Sequence, residues 1–105
     1  MATRNQKSDQ HVQRILAVLD RYTAEHPRAR GTVYRYNSAS IRIRILDPEF
    51  TNKSIPERED MVWNLLETLP EATRSQITVL LLLTPEEAKK SLLSLEFDDP
   101  SPSRL

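Results

Sequence analysis

FTNKSIPEREDMVWNLL, residues 50–66, places a helix start in a short polar loop and does most to decide the fold. Ser54 and Glu57 have the S-x-x-E spacing of a capping box, in which each side chain satisfies a backbone N–H that has no intrahelical partner. Pro56 falls in the first turn, where its missing N–H costs nothing. Val62, Leu65, Leu66 and Leu69 then recur at helical spacing, with Trp63 on the margin of the stripe, until Pro70 stops the run. The stretch predicts a helix over about 55–69.

Outward from it, the chain alternates between the two periodicities. Downstream, residues 71–75 read as a turn or a single helical turn, and Gln76 to Leu83 as a strand. Thr84-Pro85-Glu86-Glu87 is a second capping box, opening a helix to about Leu95 with Ala88, Leu92 and Leu95 on its apolar side. Upstream, Ile41-Arg42-Ile43-Arg44-Ile45 alternates strictly, as a strand with one buried face does. Thr32 to Tyr36 precedes it across a turn at Asn37-Ser38, so an antiparallel hairpin is expected. Asp47-Pro48 ends the second strand. A first helix runs from an N-cap at Ser8 through Val12, Ile15, Leu16, Leu19 and Tyr22 to His26-Pro27. The resulting order is α-β-β-α-β-α. It predicts an α+β, two-layer sandwich, a three-stranded sheet with helices on one face.

Length and composition set the bounds. A chain of 105 residues holds one core, taken here as a single domain over 8–97 with a loose arm at 1–7 and a disordered tail at 98–105. There is no cysteine, hence no disulfide framework, thiolate nucleophile or cysteine metal site. The longest apolar run, Val79 to Leu83, is too short to span a bilayer, and MATRNQKSDQ has no apolar stretch behind its charges. A cytoplasmic protein is the expectation. Net charge is zero, but residues 1–44 hold nine Lys/Arg against three Asp/Glu, and residues 45–105 six against twelve. Interleaving of the two halves in one fold would largely cancel these fields.

Phe50, the loop Thr51-Asn52-Lys53-Ser54, Arg58 at the helix start and the later Thr84-Pro85-Glu86 together resemble the BolA-like family. The resemblance spans roughly residues 8–95 and implies a fold akin to the class II KH fold. Asn52 stands where the family has glycine, a mild change because asparagine also tolerates left-handed backbone. Glu59 and Gln76 stand where the family has histidine, and Asp60 where a further basic residue is common. The later histidine is associated in that family with an iron–sulfur cluster shared with monothiol glutaredoxins. Glutamine does not replace imidazole at such a cluster, so this divergent member is expected to bind no cluster and no cofactor. His11 and His26, the chain's two histidines, flank the first helix and read as solvated rather than metal-binding.

Some BolA-like proteins are DNA-binding regulators through the segment that here reads Asn52 to Asp60. Lys53 and Arg58 are its only cations, against Glu57, Glu59 and Asp60. A GxxG grip is missing, since Gly31 is the only glycine. The alternative nucleic-acid surface is the sheet face of Arg42 and Arg44, with Arg35 and Tyr34 or Tyr36 beside them, where a single strand would meet charge and stacking. In Ile77-Thr78-Val79-Leu80-Leu81-Leu82-Leu83, the odd positions share one face and Leu80 and Leu82 the other. Leucines on a face expected to be open call for cover, either by the C-terminal helix or by a partner or second copy meeting Leu80, Leu82, Leu92, Leu93 and Phe97. No residue set supports catalysis. Asp98-Asp99 sits in the tail and Glu86-Glu87 in a helix cap, and Lys53-Ser54 lacks the glycines of a phosphate loop. The expected role is a non-catalytic regulatory module acting through protein contacts. The alternatives are weak single-strand nucleic-acid binding and a glutaredoxin partnership without a shared cluster.

Overall fold

The computed structural model describes residues 9–100, and the expected arm at 1–7 lies outside them. Nine elements succeed one another among the described residues: α1 (Gln10–Glu25), β1 (Arg30–Asn37), β2 (Ser40–Leu46), a 3-10 turn (Pro48–Phe50), α2 (Ile55–Leu66), α3 (Glu71–Arg74), β3 (Ile77–Leu83), α4 (Pro85–Ala88) and α5 (Leu92–Asp98). The α+β class holds. Both capping boxes are made, with Ser54 and Thr84 accepting from the amides of Glu57 and Glu87, whose carboxylates accept in return. The cap of α1 is Asp9, one residue later than expected; its carboxylate accepts from the Val12 amide. Among the described residues no helix is long and apolar enough to cross a membrane.

The sheet order is β1-β2-β3, with β1 and β2 antiparallel and β2 and β3 parallel. Parallel pairing comes from the connection, because α2 and α3 carry the chain back to the start of the sheet. Ile41, Ile43 and Ile45 meet Val12, Ile15, Leu19 and Tyr22 of α1 and Val62 and Leu66 of α2 in one buried cluster. Gly31 lies under α1, where an added Cβ would come within 3.1 Å of Leu19 Cδ1 and 3.3 Å of its Cβ. The only glycine therefore serves close helix–sheet packing.

Three expectations are corrected. First, β3 carries a bulge: Ile77 pairs with Ile41, but Val79 already pairs with Arg42, leaving Thr78 unmatched. A one-residue shift exchanges the faces of everything after it. Leu80 and Leu82 consequently face the isoleucine core, Leu82 being 3% exposed, and Val79 and Leu81 share the arginine face. Neither Leu80 nor Leu82 is presented to a partner. Second, the C-terminal helix is broken after Ala88, and Ser91 starts a new one by accepting from the Ser94 amide. Third, this new helix, α5, crosses the opposite face of the sheet, so helices lie on both faces. Phe97 is buried there edge-on to Tyr34, with ring centroids 5.2 Å apart. Asp98 of the expected tail ends α5, and the tail's residues 101–105 lie outside the described residues.

The loop before α2 needs one left-handed residue, and it is Asn52, at φ 64°. Asparagine holds this conformation at lower cost than other residues bearing a Cβ. Asn52→Ala should therefore lower stability by about 1 kcal/mol and Asn52→Gly should not, as read by urea unfolding.

Candidate functional site

The residues expected to form a basic nucleic-acid face are used inside the fold. Arg42 and Arg44 do project from the sheet away from the isoleucines, and α5 lies over them. Arg44 is 7% exposed and donates from Nη1 to the Ser94 carbonyl at 2.9 Å and its hydroxyl at 3.0 Å, and from Nη2 to Asp98 at 2.9 Å. Arg42 donates to the Tyr34 hydroxyl and to Glu96, each at 3.0 Å, and stacks 3.7 Å from the centroid of Tyr36. Tyr34 is buried. Arg35 is not beside them: it pairs with Ile41 in the ladder and so lies on the core face. There it donates to Asp9, to the carbonyls of Asn37 and Ser38, and to Gln76 Oε1 at 2.9 Å. The hydrogen bond from Arg35, ahead of other causes, holds the Asp9 carboxyl below its usual range.

Arg58 is also removed from the surface. Its guanidinium donates to Glu87 through Nη1 at 2.6 Å and Nη2 at 3.0 Å, to the Leu82 carbonyl at 3.0 Å and through Nε to the Lys53 carbonyl at 3.0 Å. It also lies over the Phe50 ring. Glu87 thus caps α4 and clamps Arg58 at once, joining the N-terminal ends of α2 and α4 to the end of β3. Of the six expected nucleic-acid contacts, only Lys53 is an exposed residue. Close by, an open cleft of about 470 Å³ runs between the loop and α4, lined by Pro48, Thr51, Asn52, Thr84, Pro85, Glu86 and Glu87. Two carboxylates and occupied capping amides make this a poor phosphate site.

Of the residues expected to meet a partner, Phe97 is buried under its own chain and Leu93 is half-buried, whereas Leu92 is exposed. Among the described residues the other exposed large apolar side chains are Ile55 and Trp63 of α2 and Leu95 of α5, the last expected on the apolar side of its helix. Trp63 is 48% exposed, on the flank of α2 beside its buried stripe. Glu59, Asp60 and Glu67 stand four before, three before and four after it, the spacings at which helical side chains are neighbours. Among the described residues, no ion pair within the chain engages any of the three. A half-exposed indole inside a ring of unpaired carboxylates suits a cation on an apolar stem.

A second cluster sits where α1 ends against the 3-10 turn. Tyr22 donates to Asp47 Oδ2 at 2.6 Å, Asp47 Oδ1 accepts from the Glu49 amide at 2.8 Å, and His26 stacks on Tyr22 with centroids 4.1 Å apart. The histidines are therefore not simply solvated. His11 bonds Thr73 and His26 faces two carboxylates. No sequence signal joins them, since His26 and Asp47 meet only through the packing of α1 against the end of β2.

No protein-family model, curated protein or solved structure matches this chain.

Proposed function

We propose that this chain is a non-catalytic, BolA-like regulatory module that works through protein contacts, on the outer face of α2. The carrying observation is Trp63, half-exposed on a helix and surrounded by Glu59, Asp60 and Glu67, none of them ion-paired among the described residues. Leaving an indole in water forgoes favourable burial, and a partner with a basic, partly apolar segment would recover it. Ile55, about two turns before Trp63 on the same helix, is also exposed.

Two features weigh against the alternatives. A nucleic-acid reading needs arginines free to meet phosphate, and α5 engages Arg42 and Arg44 through Glu96, Ser94 and Asp98. An iron–sulfur partnership needs soft ligands, and Gln76 directs its oxygen to Arg35 while Glu59 offers a hard carboxylate. The residues present do not fit that group.

Affinity capture from the source cell tests the reading, comparing the wild type with an Ile55→Ser, Trp63→Ser double variant and with Arg42→Gln. Proteins retained by the wild type should be lost from the α2 variant, fall off with added salt and persist with Arg42→Gln. Equal retention by the α2 variant would contradict the proposal.

A further inference from the structure

We infer that His26, Asp47 and Glu49 form a binding site for one divalent transition-metal ion, of which zinc is the representative probe. His26 Nδ1 lies 3.1 Å from Glu49 Oε2 and 3.7 Å from Asp47 Oδ2, and one ligand atom from each residue falls within 4.8 Å of the other two. Zinc bonds of about 2.0–2.2 Å place neighbouring ligand atoms about 2.8–3.6 Å apart in octahedral or tetrahedral geometry. The two separations from His26 need almost no adjustment, and the carboxylate oxygens of Asp47 and Glu49, within 4.8 Å of each other, would draw together by up to about 1 Å around the ion.

Charge points the same way. Asp47 is fully buried, yet among the described residues its carboxylate meets only the Tyr22 hydroxyl, the Glu49 amide and the imidazole. Glu49 shares that imidazole. Two carboxylates therefore face one ring, an excess of negative charge even with the ring protonated, and the charge of the buried one, Asp47, is costly unless paired or metal-bound. A divalent ion beside a neutral imidazole balances both carboxylates.

The donors are also held in advance. His26 is the C-cap of α1, its amide bonded to the Tyr22 carbonyl, and Asp47 caps the 3-10 turn while its own amide donates to Leu83. Tyr22 donates its hydroxyl proton to Asp47 Oδ2 at 2.6 Å. Such a hydrogen bond orients a ligating carboxylate. Asp47 lies at the bottom of the site, and the half-exposed Glu49 carboxylate opens it to solvent. One imidazole with two carboxylates favours zinc, iron(II) or manganese(II) over magnesium.

The test is calorimetric titration of Zn²⁺ into chelator-treated protein, with amide spectra recorded alongside. One equivalent should bind despite excess Mg²⁺, shifting amides near His26 and Asp47–Glu49. His26→Ala should weaken binding at least a hundredfold and Glu49→Gln at least tenfold, while His11→Ala leaves it unchanged. If His26→Ala does not fold, Glu49→Gln decides, since that side chain is 43% exposed. The inference is overturned if no saturable binding occurs, if Glu49→Gln binds as the wild type does, or if the shifts centre on His11.

Discussion

Phe97→Ala should cost about 3 kcal/mol of stability and release α5 from the sheet. Phe97 is the anchor of that helix, buried against Tyr34 and under the Arg44 guanidinium. Seven residues cannot hold a helix by propensity alone, so without the aromatic contact α5 depends on the bonds of Arg42 and Arg44. Those are incomplete, since Nε of both arginines is buried without an acceptor. The loss should have two parts: a lower urea midpoint, and amide exchange over Leu92–Asp98 that becomes nearly unprotected while β1 and β2 stay protected. Unchanged protection over α5 would mean that the ion pairs, not Phe97, hold it.

Arg58→Ala should cost about 3 kcal/mol, because four hydrogen bonds disappear and the buried Leu82 carbonyl loses a charged donor. The same clamp sets an acid limit. Its hydrogen bond to Arg58 is the main reason the Glu87 carboxyl is held down at about 2, below its ordinary 4.5. A carboxyl depressed by folding contributes stability above its unfolded value and loses it as pH falls toward the folded value. Wild-type stability should therefore drop between about pH 4.5 and 2. Glu87→Gln should start lower at neutral pH and show a shallower decline across that window. Parallel acid curves for the two proteins would show that Glu87 does not titrate with the fold.

Most of the scaffold is legible in residues that act locally. Ser54/Glu57 and Thr84/Glu87 announce helix starts within four residues, and Ile41, Ile43 and Ile45 announce a buried strand face within five. The features that are not legible depend on contacts between distant segments. The unmatched Thr78 exchanges the faces of β3, so a correct strand comes with its leucines on the wrong side. Arg35 alternates with Tyr34 and Tyr36, which puts it on the face opposite Arg42. Arg58 resembles a phosphate contact until Glu87, 29 positions away, closes on it. Ser91 does carry a local cap signal, enough to separate α5 from α4. Trp63 sits on the margin of its stripe, and that marginal position is what leaves it half-exposed.

If the outer face of α2 is the working surface, the arginine face under α5 should stay closed to ligands. An amide chemical-shift map, recorded with the captured partner and separately with a single-stranded oligonucleotide at low salt, distinguishes the two surfaces in one protein. The partner should shift Ile55–Glu67, and the oligonucleotide should leave Tyr34, Arg42 and Arg44 unmoved. Saturable shifts along β1 and β2 with the oligonucleotide, and none on α2 with the partner, would move the working surface to the sheet and refute the α2 assignment.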